Sequence, residues 1–150
     1  MRIATGIDLT DIAPFARLLD RHGGRFLDRV YTPREQERCG QDVTLLACLF
    51  AAKEAVAKVL GTGLNYLAPT GVDLREMEII ADGPRGPAWV RLHGAARTRA
   101  DALELREWSV SLAHSRTYAL AMAIAWSGIG EAERASPSQE TSCSTQWCAA

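Results

Sequence analysis

No stretch of this chain approaches the roughly 18 consecutive apolar residues of a membrane-spanning helix, so no membrane partner is expected. Neither sign of charge is in excess: 17 Lys and Arg stand against 18 Asp and Glu, a net charge of −1. That balance withholds the broad basic footprint of a nucleic-acid binder, and no nucleic-acid partner is expected. Cysteine is sparse, with Cys39 and Cys48 in the apolar part of the chain and Cys143 and Cys148 near its end. The last pair has no neighbouring His or second Cys pair, so free thiols are expected rather than a disulfide framework or a structural metal. Neither His-x-x-x-His nor His-Glu-x-x-His occurs, which removes the usual zinc enzymes. Gly-x-Ser-x-Gly and the Walker Gly-x-x-x-x-Gly-Lys-Ser/Thr are missing too, and Gly61-Thr62-Gly63 follows an expected helix rather than a strand. Met1-Arg2-Ile3-Ala4-Thr5-Gly6 runs into Asp8 without an apolar signal region, and a cytoplasmic protein is expected.

What is present reads as one α+β domain. A chain of 150 residues can bury about two thirds of its unfolded surface without disulfides or metal. A first strand covers residues 3–9 with Asp8 at its end, Thr10 and Asp11 are caps for a helix holding Phe15, Leu18 and Leu19, and Gly23-Gly24 stops that helix. Thr32-Pro33-Arg34-Glu35 is a capping box with proline at the first helical position. Met77–Ile80 and Ala88–Leu92 form a hairpin around the turn Asp82–Pro87, residues 94–105 suit a surface helix, and Trp108–Ala113 pairs with a return strand Tyr118–Trp126. The continuous apolar run of that return strand implies burial on both faces or at a subunit interface. From Ser127 the composition turns to Gly, Ser, Thr, Glu and Gln, so the domain is expected to be 1–126 and residues 127–150 a disordered tail.

The sharpest conflict lies between Leu45 and Leu60. Every side chain there except Lys53, Glu54 and Lys58 is apolar or small, which describes a helix buried nearly all round and ending at Gly61. Charges on such a helix need partners or a ligand. Glu54 and Lys58 have the favourable i,i+4 order. Glu54 together with Asp8 could also make a two-carboxylate magnesium cradle, with Lys53 and Lys58 beside it for phosphate oxygens. Spacing alone favours the plainer alternative, a capped Asp and an internal Glu-Lys pair. His114, in Ser111-Leu112-Ala113-His114-Ser115 at an expected turn, reads either as a polar loop residue or as part of a site. Arg17, Arg21, Arg25 and Arg29 recur every four residues, and Arg17 and Arg21 share a helical face that is either a solvated surface or a dock for an acidic partner.

Taken in order, Gly6-Ile7-Asp8-Leu9, Arg25-Phe26-Leu27, Tyr31-Thr32-Pro33, Phe50-Ala51-Ala52-Lys53-Glu54-Ala55, Lys58, Leu60-Gly61-Thr62-Gly63, Gly86-Pro87 and Val110-Ser111-Leu112-Ala113-His114-Ser115 resemble the holo-acyl-carrier-protein synthase type of 4′-phosphopantetheinyl transferase. The resemblance covers residues 3–126. It implies an antiparallel sheet beside a long central helix, assembled as a homotrimer with active sites between subunits. It further implies transfer of 4′-phosphopantetheine from coenzyme A to a serine hydroxyl of an apo acyl carrier protein, with Mg2+, releasing adenosine 3′,5′-bisphosphate. By the same resemblance Asp8 and Glu54 are metal ligands, and Lys53 and Lys58 contact phosphate. Gly61, Gly63, Pro87, His114 and Ser115 belong to the coenzyme A site, and Arg17 and Arg21 become a carrier dock. The carrier could belong to fatty-acid or polyketide synthesis.

This chain departs from the family at two places. Cys48-Leu49 stands where the family commonly has Gly-Arg, and Pro14-Phe15 stands where it usually carries a basic residue. These departures imply weaker coenzyme A binding and a carrier contact shifted toward Arg17. They also motivate an alternative, a non-catalytic coenzyme A or carrier-binding module, while the two acids alone would also suit a small phosphohydrolase.

Overall fold

The computed structural model describes residues 1–62, 71–81 and 88–128, which leaves Gly63, Pro87, Cys143, Cys148, the expected turn at Asp82–Pro87 and residues 129–150 of the expected tail outside the described residues. The elements run β1 (Ile3–Asp11), α1 (Ile12–Val30), α2 (Pro33–Cys39), α3 (Val43–Leu60), a 3-10 turn (Leu74–Glu76), β2 (Met77–Ala81), β3 (Ala88–Leu92), α4 (Gly94–Ala102), β4 (Glu107–His114) and β5 (Tyr118–Trp126). The five strands form one antiparallel sheet in the order β1-β5-β4-β3-β2.

Local chemistry sets the helix ends. Asp11 caps α1 by accepting from the Ala13 N–H, Thr32 and Glu35 complete the capping box of α2, and Gly61 closes α3 with φ of 63°. The helix expected to stop at Gly23-Gly24 only kinks there. Gly23 leaves helical geometry at φ 51°, ψ −133°, and helical turns resume to Val30. Phe26, beyond the kink, packs on Phe15 at 5.8 Å and on Phe50 of α3 at 6.1 Å between ring centroids, which repays continuing the helix. Asp8 also sits inside β1 rather than at its end, because the strand continues to Asp11.

The core lies where α3 packs against β1 and β5. On the inner face of β5, Ala119, Ala121, Ala123 and Ala125 are all fully buried, as are Ala51, Ala52 and Ala55 of α3. Residues this small let backbones approach closely. Gly6 makes the point for β1, since a Cβ there would run into the Ala55 carbonyl oxygen. The opposite face of these strands is open: Ile3, Ile7, Leu9, Tyr118, Leu120 and Met122 are exposed large apolar residues. Burial of β5 on both faces is therefore not met within one chain; its inner positions are buried, while of the outer ones Tyr118, Leu120 and Met122 are exposed and Ile124 and Trp126 half-buried.

Candidate active site

Three of the expected residues come together. Asp8 on β1 and Glu54 and Lys58 on α3 line one cleft of about 520 Å³, together with Thr10, Pro14, Phe15 and Phe50. The close approach at Gly6 explains the meeting, because it sets β1 directly over the turn of α3 that carries Glu54 and Lys58. Lys58 Nζ donates to Asp8 Oδ1 and to the Ile7 carbonyl, both at 2.7 Å, and its side chain remains half exposed. Asp8 Oδ2 accepts from the Thr10 hydroxyl at 3.3 Å. The ammonium is thus held at the mouth of the cleft by β1, and α3 is not buried all round at this point.

Lys53 goes elsewhere. Fully buried, its Nζ donates to Glu35 Oε2 at 2.8 Å and to the Leu74 carbonyl at 2.9 Å. The same Glu35 Oε2 accepts from the Thr32 N–H, and Oε1 accepts from the Ile79 N–H, each at 2.8 Å. One carboxylate therefore ties α2, α3 and β2 together. Burial lowers the Lys53 pKa, and the Glu35 charge beside it pulls the other way. In this arrangement the ammonium faces an interior carboxylate and not the cleft, which corrects the expectation of a phosphate contact. The capping box signalled Glu35 in the sequence, but nothing local announced its second partner.

His114 ends β4 instead of lying in a turn, and its register pairs it with Ala119, which pairs in turn with Thr10. It stands two strands from Thr10, about 10 Å across the sheet. Ser115 opens the connecting turn, where its hydroxyl oxygen accepts from the Thr117 and Tyr118 N–H groups, each at 3.1 Å. Gly61 is exposed at the end of α3. Cys48 and Leu49 are both buried, so the first departure from the family motif fills core volume. Arg17 and Arg21 are exposed on α1. A second groove of about 430 Å³ shares Leu18 and Phe50 with the acid cleft and is lined as well by His22, Arg25, Phe26 and Arg29, a feature the regular arginine spacing hinted at only in part.

The donor set fits a hard divalent cation. Among the described residues no group of three or more His, Cys, Asp or Glu could hold a metal. A cation here would rest on Asp8 and Glu54 and take its other oxygens from water and substrate, which is how magnesium is usually held.

A family model of the 4′-phosphopantetheinyl transferase superfamily matches residues 4–123. Among curated relatives, the holo-[acyl-carrier-protein] synthase of Herpetosiphon aurantiacus is 43% identical over 124 residues, covering 81% of this chain and 97% of its own. That of Halorhodospira halophila is 41% identical over 126 residues, covering 82% and 96%. Among solved structures, the holo-[acyl-carrier-protein] synthase of Neisseria meningitidis superposes with a TM-score of 0.69 at 29% identity, covering 82% of this chain and 97% of its own. The ACPS-CoA complex of Chronobacterium ammoniagenes gives 0.69 at 26% identity, covering 83% and 97%. A sheet that sets Asp8 against Glu54 and Lys58, with the family pattern running from β1 into β5, makes this chain a member of the 4′-phosphopantetheinyl transferase superfamily.

Proposed function

We propose that the chain transfers 4′-phosphopantetheine from coenzyme A to a serine hydroxyl of an apo acyl carrier protein, releasing adenosine 3′,5′-bisphosphate. The observation that carries this reading is the convergence of Asp8, Glu54 and Lys58 in one cleft. The serine oxygen forms a bond to the phosphorus of the phosphopantetheine group as the bond to the bisphosphate oxygen breaks, and the Glu54 carboxylate takes the serine proton. Lys58, oriented by the Ile7 carbonyl and Asp8, places its ammonium against the departing phosphate oxygens. Asp8 and Glu54 are the residues that would hold Mg2+, which supplies charge neutralisation at the pyrophosphate when bound. His114, at the end of β4, and Ser115, in the turn after it, extend the site toward the nucleotide end of coenzyme A.

The carrier docks on α1. Arg17 and Arg21 face solvent, and Arg25 and Arg29 rim the apolar groove beside the cleft, so an acidic helix finds cations around a pocket for one of its apolar side chains. The exposed apolar face of β1 and β5 supports a homotrimer with sites completed between subunits. The transferase domain is assigned to residues 1–126.

The deciding experiment incubates the chain with apo carrier protein, coenzyme A and magnesium and reads the intact mass of the carrier. A phosphopantetheine adduct is expected, and Glu54→Gln should lose turnover while keeping carrier affinity. Binding without any adduct would identify a binding module, and free phosphopantetheine without carrier would identify a hydrolase.

A further inference from the structure

β3 and β4 pair at Ala88 and Val110 alone among the described residues, and beyond that pair the two strands open into a wedge of about 370 Å³. Arg34 of α2, Arg91 of β3, Arg97 of α4 and Arg106 ahead of β4 all line it, an unusual concentration of one sign in a chain of net charge −1. Two of these cations are compensated: Arg91 lies 3.4 Å from Glu78, and Arg97 lies 3.0 Å from Asp101. Arg34 and Arg106 make no side-chain hydrogen bond or ion pair among the described residues. The other lining groups include the indoles of Trp89 and Trp108 and an aliphatic wall of Val90, Leu92 and Leu105. Trp108 and His114 are six residues apart on β4, about 20 Å, so this wedge lies at the far end of the strand from the site described above.

A bare anion would leave the indoles and the aliphatic wall wet. A neutral apolar ligand would make no use of the exposed Arg34 and Arg106 guanidinium groups. A ligand with a flat ring at one end and a phosphate at the other uses both, because guanidinium forks match phosphate oxygens and indole faces stack on heteroaromatic rings. We propose that the wedge between β3 and β4 is a second binding site, separate from the transferase cleft, that takes a nucleoside phosphate. The proposal does not depend on the transferase reading.

The test follows the indole N–H signals of the full chain by NMR in a Lys58→Ala background, titrating adenosine 5′-monophosphate, adenosine and inorganic phosphate separately. Trp89→Phe and Trp108→Phe assign the two signals. Both should shift saturably with the nucleotide and much less with adenosine or phosphate alone. Arg34→Ala with Arg106→Ala should weaken that response about tenfold or more, and Arg34→Lys with Arg106→Lys, which keeps the charge and loses the fork, should restore only part of it. In an otherwise unaltered chain the double alanine change should leave carrier modification within about twofold. The proposal is overturned if neither indole responds, if inorganic phosphate alone shifts them as strongly, or if the arginine variants bind the nucleotide as the parent does while melting at the same temperature.

Discussion

Replacing Lys53 by methionine should destabilise the fold by about 3–5 kcal/mol, the usual result of removing one partner from a buried ion pair. The two side chains are 0% and 1% exposed, so Glu35 would be left charged with no water to take over. Its Oε2 would lose a charge-assisted bond of 2.8 Å and the Leu74 carbonyl a donor at 2.9 Å. The backbone N–H groups of Thr32 and Ile79 would remain, which argues for the lower part of that range. Adding Glu35→Gln removes the stranded charge and keeps an oxygen for Ile79, so the double variant should recover about 1–2 kcal/mol. Urea unfolding with an unchanged slope is the assay, run at about pH 7 and about pH 9.5. Burial holds the folded Lys53 pKa below the ordinary lysine range despite the opposing Glu35 charge. Between the folded and ordinary values the unfolded chain binds more protons, so the wild-type advantage over Lys53→Met should grow as pH rises through that interval. A cost under about 1 kcal/mol with carrier modification abolished would refute the structural assignment and return the ammonium to the phosphate site.

Gly6→Ala should cost about 1–3 kcal/mol and lower turnover more than stability warrants, because a Cβ against the Ala55 carbonyl forces β1 and Asp8 away from α3; unchanged turnover in a thermally weakened variant would show that this approach is not needed. Leu120→Glu with Met122→Glu should give a folded monomer without carrier modification, read by sedimentation and circular dichroism, whereas a wild-type chain that already sediments as a monomer ends the shared-site proposal. Cys39 and Cys48, whose thiols burial pushes up to about 11, should resist iodoacetamide in the native chain and react in urea, as read by mass spectrometry. Since the unfolded chain gives up these protons first, stability should fall as pH rises from the ordinary thiol value toward about 11. Prompt native labelling of either would contradict their burial.

Local sequence signals suffice where local chemistry decides the outcome. Asp11, the Thr32 capping box, Gly61, the period-two strand β4 and the continuous apolar strand β5 are where neighbouring residues place them. Gly23-Gly24 reads as a helix stop, whereas α1 kinks there and resumes, and that resumption depends on Phe26 meeting Phe50, a contact between separate elements. The same limit governs the site. Lys58 has Glu54 as its helical neighbour, yet the bonds that fix its ammonium come from Ile7 and Asp8 on another element. The apolar surroundings of Lys53 in the sequence require that its charge be compensated, but its partner lies 18 residues away, on a helix whose own cap already accounts for Glu35. Residue type showed that charges needed partners; only the folded chain chose between them.

The alanine seam between α3 and β5, with Gly6 beside it, has a mechanical meaning. Alanine and glycine possess no rotamers to rearrange, so nothing at that contact can absorb a displacement by repacking. The wall carrying Asp8, Glu54 and Lys58 therefore behaves as a single stiff plate. The facing wall is built from α1, where Phe15, Leu18 and the kink at Gly23 offer longer side chains and a glycine pivot. Accommodation of differently shaped occupants of the cleft belongs to α1, while the spacing of Asp8, Glu54 and Lys58 is cast into the backbone.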